Sequence, residues 1–265
     1  MQNCKESCLV KDSNSVLELA IMSVLGDREE QQDNFGYELK MDESIVVVCD
    51  GMGGHKGGQR ASQIAVKTIL DKYINVLEKA DLLEFLLDGT QVANERVCEL
   101  KDVNGNLLNA GTTMVSIVIR NYQLYWNSVG DSRAYLYRDG EFVQITQDHN
   151  YKAVLDEKRQ MGLITQDEYV KECEKGDALI SFLGIGKINL VDYNKIPFAL
   201  KKDDKIIIMS DGLYKLVKDE EVFRIIDNFS NINEALQALE MKAKRNAKNK
   251  KLIRDNMTVA IIKIK

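Results

Sequence analysis

Two strongly apolar runs, Ile45 to Cys49 and Ile206 to Met209, stop at an Asp-Gly pair, the first directly and the second one serine later. A continuous β-branched run such as Ile45, Val46, Val47 and Val48 reads as a strand buried on both faces. Two more aspartates share the setting. Asp131 follows the run Trp126 to Gly130, and Asp255 precedes Asn256 and the apolar run from Met257. A single aspartate at a strand end is most simply a turn residue or a helix cap. Four of them place carboxylates repeatedly at the rim of rigid sheet, and the glycine after Asp50 and Asp211 is expected to let backbone approach a ligand closely.

The rest of the pattern constrains the fold class. Leu17 to Leu25, Asn34 to Lys40 and Ser44 to Cys49 read as strands, and Gln59 to Leu77 and Ala80 to Leu100 as helices. The middle is strand-rich, with Thr112 to Ile119, Gln123 to Val129, Arg133 to Arg138 and Glu141 to Ile145 separated by turn signals. These include Asn121-Tyr122 and Asp139-Gly140. Asn150 to Gly176 is polar and helical, an excursion from the main sheet. Lys205 to Met209 is a strand, Glu220 to Phe229 and Ile232 to Ala247 are helices, and Met257 to Ile264 is a last strand. Strands, two helices, many strands, two helices and a strand do not alternate as βαβ units. The expectation is therefore α+β with largely antiparallel sheets.

The chemistry follows from residue types. Carboxylates gathered at one rim repel unless a cation neutralises them, and oxygen-only ligands favour hard cations such as Mg²⁺ or Mn²⁺. Only two histidines, His55 and His149, are present, so a three-histidine zinc site is excluded. Neither a Gly-x-Ser-x-Gly elbow nor a Walker loop occurs. Two ions holding a water make phosphorus the natural electrophile. Arg28, five residues before Asp33 in GDREEQQDN, is suited to bind the phosphate bidentately.

Other features read as ordinary structure. His55, in the glycine-rich turn, is expected to cap that turn or pack on the helix start, and His149 and Asp148 to be hydrogen-bonded structural residues. Tyr125, Trp126 and Tyr135 lie in strands without interleaved basic residues and read as core. The net charge of −5 argues against a general nucleic-acid binder. The basic stretch Lys242 to Lys251 reads as the solvated end of a helix. Cys4, Cys8, Cys49, Cys98 and Cys173 are expected to be reduced thiols of a cytoplasmic protein. No run is long and apolar enough to span a membrane, and Met1 to Lys11 has no apolar signal core. No internal domain boundary is evident, so residues 1–265 read as one domain with a core of about 17–265.

Seven segments occur in a characteristic order: GDREEQQD at 26–33, VVCDGMGGHKGG at 47–58, GTTMV at 111–115, VGDSRAYL at 129–136, ITQDHN at 145–150, MSDGL at 209–213 and DNMTV at 255–259. With them the chain resembles the metal-dependent protein serine/threonine phosphatases of type 2C in their compact bacterial form. The resemblance implies a central antiparallel β-sandwich flanked by α-helix pairs, in four layers α-β-β-α, with the metals at one end. It implies that Asp50 bridges two Mg²⁺ or Mn²⁺ ions and that the Gly51 carbonyl binds the first. Asp211 and Asp255 would hold the second, and Asp131 with Asp211 a weaker third. Asp33 would orient metal-bound water, Arg28 would bind the phosphate, and residues 150–188 would form a flap beside the site. The implied reaction is direct attack of metal-bound water on phosphoserine or phosphothreonine. Phosphorylated proteins, including those of a partner Ser/Thr kinase, would be the substrates, and a monomer is the expected state.

The chain departs from the family pattern in places. Gln31 and Gln32 stand where the family has asparagine and an acid, which leads one to expect a looser hold on the site water. Met52 replaces the histidine that many eukaryotic relatives carry. Ser181, in LISFLGIG, takes the place of an arginine. The Gln31-Gln32 pair and Ser181 motivate a competing expectation of a weak or inactive regulatory module on the same fold. A hydrolase of small phosphoesters is a third reading.

Overall fold

The computed structural model describes residues 7–54, 56–76 and 80–265. Cys4 and His55 lie outside the described residues. The elements in chain order are β1 (Ser7–Ser13), β2 (Leu17–Val24), β3 (Asn34–Leu39), β4 (Glu43–Cys49), β5 (Gly51–Met52), α1 (Gly57–Ile74), α2 (Leu82–Cys98), β6 (Gly111–Thr112), β7 (Met114–Arg120), β8 (Gln123–Val129), β9 (Arg133–Arg138) and β10 (Glu141–Gln144). There follow α3 (Tyr151–Gln160), α4 (Gln166–Glu172), β11 (Asp192–Tyr193), β12 (Phe198–Ala199), β13 (Lys205–Met209), α5 (Asp211–Tyr214), α6 (Asp219–Asn228), α7 (Ile232–Lys250) and β14 (Met257–Ile264).

Two antiparallel sheets form the centre. One runs β1-β2-β14-β13-β9-β10. The other runs β11-β8-β7-β4-β3, with β12 also on β8. Their facing sides share one core, which includes Leu19, Ile21, Val46, Val48, Val115, Ile117, Ile206, Ile208 and Ile262. Alternate residues of the same strands face outward. Ile207, Met209, Val259 and Ile261 pack with Leu236 and Leu239 of α7. Ile45, Val47 and Cys49 pack with Ala65 and Ile69 of α1 and Leu86 of α2. Both faces of β4 and β13 are thus covered, which is why their sequences carry no polar alternation. The architecture is the four-layer α-β-β-α sandwich that the family resemblance implies, and its sheets are antiparallel as the sequence pattern led one to expect.

The two hairpin turns fall where the sequence placed them. Asn121 and Tyr122 have φ of 53° and 59°, and Asp139 and Gly140 have 51° and 83°. Positive φ at both central residues matches the twist of the flanking strands.

Some expectations are corrected. β1 had no apolar signal because it is an edge strand on which only Val10 is buried. Edge strands owe their order to main-chain pairing, here with β2. The run at 112–119 is split at Thr113, whose side chain is recruited to the site described below. Cys8 is disulfide-bonded, which corrects the reduced-thiol expectation at that position, whereas Cys49, Cys98 and Cys173 are free. The basic stretch at 242–251 lies on the last turns of α7, and two of its lysines pair with Glu221 and Glu240.

Candidate metal centre and active site

Antiparallel register brings the aspartates to one end of the sandwich. The end of β4 faces the start of β3 through Cys49↔Asn34. The end of β8 faces the start of β7 through Val129↔Met114. The end of β13 faces the starts of β14 and β9 through Met209↔Val259 and Met209↔Arg133. Asp33, Asp50, Asp131 and Asp211 each lie within two residues of one of these junctions, and Asp255 lies two residues before the start of β14. Residues far apart in sequence therefore share one rim without any loop having to reach for it.

The aspartates do not share one environment. Asp33 and Asp131 are buried, and Asp50 and Asp211 are half-buried. Burial pushes the Asp33 carboxyl up to about 7, against the hydrogen bonds that Ser210 and Thr258 make to it. Burial and then the charges of Asp33, Asp211 and Asp131 push Asp50 well above the usual carboxylate range. Burial and the charge of Asp211 push Asp131 up to about 6. Burial, and after it the mutual repulsion of the carboxylates, raises all three, and a cation would relieve both. Asp50, Asp131 and Asp211 line a cavity of about 440 Å³ together with Met52, Thr113, Leu179, Phe182 and Lys215.

Asp255 sits beside this cluster rather than within it. Its Oδ2 is 2.6 Å from Arg28 Nη2, with both side chains substantially exposed. The proposed phosphate ligand and a proposed metal ligand are thus ion-paired with each other. Next to them Arg254 pairs with Asp27 at 3.1 Å through Nε, and the Asp27 amide donates to the Arg254 carbonyl. The Arg254 side chain and the Arg254 amide, which donates to Asp27 Oδ2 at 2.9 Å, hold the Asp27 carboxyl below its ordinary range. They lace the β2–β3 loop to the segment before β14.

The short motifs hold the carboxylates in place. Thr113 Oγ1 accepts from the Asp50 amide at 3.0 Å, and Thr112 Oγ1 donates to the Asp50 carbonyl at 2.8 Å. The Gly-Thr-Thr segment thus clamps the peptide of Asp50 from both sides. Gln31 Oε1 accepts from the Asp33 amide at 3.0 Å, while its Nε2 donates to Ser23 Oγ at 3.1 Å. The Gln32 amide donates to Asn256 Oδ1 at 2.8 Å, and Ser62 Oγ donates to the Gln32 carbonyl at 2.6 Å. The two glutamines therefore fasten the loop that carries Asp33.

The glycines after Asp50 and Asp211 also serve chain packing. A Cβ on Gly212 would lie 1.9 Å from the Asn256 carbonyl oxygen, and one on Gly51 would lie 2.1 Å from that of Gly58. Backbone runs directly against backbone there, so the site's walls meet without side chains between them.

The structural residues behave as expected. His149 Nδ1 accepts from the Gly130 amide at 3.2 Å, and the His149 amide donates back to the Gly130 carbonyl. This pins the residue preceding Asp131. Asp148 makes a two-pronged pair with Arg133, at 3.0 and 2.7 Å. Ser181 is buried and donates to the Leu190 carbonyl at 2.8 Å, anchoring the base of the 150–188 segment.

Four contributors had not been singled out from the sequence: Ser210, Asp177, Tyr214 and Lys215. Ser210 Oγ donates to Asp33. Lys215 follows Asp211 by four residues, a helical pairing interval that was legible in principle. Asp177 arrives from a distant segment and left no local signal.

The donor chemistry fits a hard divalent ion. The cluster offers only oxygen donors, and Asp33 Oδ1 is buried with no hydrogen-bond partner, an arrangement that costs free energy unless something binds there. As the side chains stand, no three acidic, histidine or cysteine groups among the described residues close round one point. Asp211 is held by Lys215 and Asp255 by Arg28.

Known proteins share both sequence and fold. A serine/threonine phosphatase stp of Listeria monocytogenes is 31% identical over 89% of this chain and 90% of its own length. The crystal structure of the Mycobacterium tuberculosis serine/threonine phosphatase PstP/Ppp superposes with a TM-score of 0.76 at 25% identity, covering 94% of this chain and 99% of the other. A catalytic domain of PstP solved with two manganese ions gives 0.74 at 26% identity, covering 94% and 98%. The sequence profile described as protein phosphatase 2C matches residues 23–248. With that match spanning most of the chain, and with the acidic rim on the same sandwich, the chain belongs to the protein phosphatase 2C family.

Proposed function

We propose that this chain removes phosphate from phosphoserine and phosphothreonine of other proteins, with two Mn²⁺ or Mg²⁺ ions held by Asp50, the Gly51 carbonyl, Asp211 and Asp255. The observation that carries the reading is the convergence of carboxylates from separate strand ends, three of them pushed upward by burial and by one another. Names of similar proteins support it: a serine/threonine phosphatase in Listeria, and a phosphatase catalytic domain crystallised with manganese. These also favour a catalyst over an inactive module.

Divalent ions in such a site supply Lewis-acid activation of water and neutralise the transferring phosphoryl group. The chain's own groups do the rest. Asp33 is fixed through Oδ2 by Ser210, while its unpartnered Oδ1 is the acceptor for a water proton. Arg28, exposed at the rim, exchanges Asp255 for phosphoryl oxygens and orients the substrate. Asp131 adds negative charge beside Asp211. Thr112 and Thr113 hold Asp50 so that no reorganisation is needed as the reaction proceeds. Leu179 and Phe182, from the 150–188 segment, wall the cavity on the side where a flap would meet the substrate protein.

Residues 17–265 act as one catalytic unit in this reading, monomeric and cytoplasmic, with phosphoproteins of a Ser/Thr kinase as substrates. Among the described residues no helix is long and apolar enough to cross a membrane.

The test is hydrolysis of a phosphothreonine peptide with Mn²⁺, with Mg²⁺ and in excess EDTA, beside an Asp50→Asn variant checked for folding by circular dichroism. Turnover should require the added ion and vanish in the variant. Undiminished hydrolysis in EDTA sinks the reading, and faster hydrolysis of nucleotides than of phosphopeptides would redirect it to small phosphoesters.

A further inference from the structure

The single turn of α5 after Asp211 presents two side chains to the acidic cluster. Tyr214 Oη donates to Asp131 Oδ2 at 3.0 Å. Lys215 Nζ lies 2.8 Å from Asp211 Oδ2 and 3.0 Å from Asp177 Oδ2. Asp131 and Asp211 are the two carboxylates on which a third ion would depend. One of them is occupied by a phenol and the other by an ammonium, both from adjacent residues of this chain.

These contacts are braced. The Arg133 guanidinium lies 3.8 Å over the Tyr214 ring and is itself locked to Asp148, so the phenol has a fixed platform. Lys215 is braced from two sides, by Asp211 and by Asp177. A divalent ion between Asp131 and Asp211 would have to displace both the Tyr214 hydroxyl and the Lys215 ammonium, whereas an ion shared by Asp50 and Asp211 competes with Lys215 alone.

Position matters as much as charge. Asp177 belongs to the 150–188 segment, next to Ala178, whose carbonyl accepts from the Tyr151 amide. Asp177 and Lys215 line the 440 Å³ cavity of the metal centre and also a neighbouring groove of about 960 Å³, bounded by Arg133, Asp148, Asn150 and Leu190 among others. Their ion pair stands on the partition between the two.

We propose that Lys215 is a built-in substitute for the third divalent ion: its ammonium neutralises the Asp211 corner and ties the flap segment to the metal centre through Asp177. This rests on the metal-centre reading above and goes beyond it. Here the chain binds two ions, and the third position is closed by its own lysine and tyrosine.

Calorimetric titration of the full chain with Mn²⁺ tests this, run on wild type, Lys215→Ala, Lys215→Arg and the double variant Tyr214→Phe/Lys215→Ala, each confirmed folded by circular dichroism. Wild type and Lys215→Arg should take up two ions. The double variant should take up a third, weaker one, and Lys215→Ala should do so less tightly. A third ion in wild type, or two in the double variant, overturns the proposal. Uptake of no ion by wild type overturns the metal centre itself, a separable result. Hydrogen exchange over residues 150–188 of the metal-free protein is the second readout. Lys215→Ala and Asp177→Asn should each speed it by about twofold to fivefold, the range of an exposed pair. Unchanged exchange in both overturns the tie to the flap.

Discussion

Ser210 Oγ donates to Asp33 Oδ2 at 2.8 Å across 177 residues of sequence, and the same oxygen accepts from the Thr258 amide at 2.9 Å. Thr258 Oγ1 in turn donates to Ser23 Oγ, which also accepts from Gln31. One buried hydroxyl chain thus links β2, β13, β14 and the loop of Asp33. Ser210→Ala deletes the 2.8 Å donor to Asp33 Oδ2 and strands the Thr258 amide. Losses of this kind around a metal site cost about 10- to 100-fold in metal affinity or activity. The Mn²⁺ concentration for half-maximal phosphopeptide turnover should rise by that factor, with the thermal midpoint also lowered.

The raised carboxylates fix the sign of a pH effect on stability. Asp33 moves from an ordinary 3.8 to about 7 on folding, and Asp131 from 3.8 to about 6. Between those limits the folded chain binds more protons than the unfolded chain, so stability falls as pH rises. Their contribution is fully present below about pH 4 and lost as pH climbs through 6 and 7. His149 works the other way, because burial lowers its pKa against the pull of Asp192 and Asp148, but it is one group against several. The metal-free thermal midpoint should fall from pH 5 to pH 7.5, and Asp33→Asn should flatten the slope. A midpoint rising over that interval in the metal-free protein contradicts the assignment.

Gly212→Ala should be destabilising because its methyl would sit 1.9 Å from the Asn256 carbonyl oxygen, and backbone cannot yield as a side-chain tip can. A loss of at least about 2 kcal/mol is expected, read by urea denaturation. Gly54→Ala is the control, since a Cβ there meets nothing within 4 Å. It should stay within about 0.5 kcal/mol of wild type.

Arg28→Ala removes a guanidinium whose observed partner is Asp255. Hydrogen bonds to charged groups contribute about 1.5–3 kcal/mol, so kcat/KM for a phosphopeptide should drop by about 10- to 100-fold. Because the substitution also frees Asp255, Mn²⁺ affinity should not fall. A variant that loses metal affinity but keeps kcat/KM at saturating Mn²⁺ would place Arg28 among the supports of the metal centre instead of at the phosphate.

Thr113→Val tests the clamp on Asp50. It removes the acceptor for the Asp50 amide and the partner of Ser132 Oγ, 2.7 Å away. A penalty of about 1–3 kcal/mol in stability is expected for the groups left buried and unpaired, together with weaker Mn²⁺ binding in calorimetry.

The pattern of the sequence by itself determined an antiparallel α+β fold and the acidic rim, and the family resemblance supplied the sandwich. Uninterrupted apolar strands such as β4 and β13 demand cover on both faces, and helix pairs were the only segments available to supply it. Asp-Gly at their ends placed carboxylates where strands stop, and antiparallel order gathered those ends. Strand β1 was illegible because an edge strand is held by main-chain hydrogen bonds, which every residue except proline can make. What only the tertiary structure decided was the partner of each polar group. It put Arg28 on Asp255, Ser210 on Asp33, Tyr214 on Asp131, and Lys215 between Asp211 and Asp177. Local pattern encodes burial, because burial is a property of periodicity along one element. A pairing between charges or hydroxyls depends on the ångström-scale meeting of chain segments remote in sequence, and no periodicity records that.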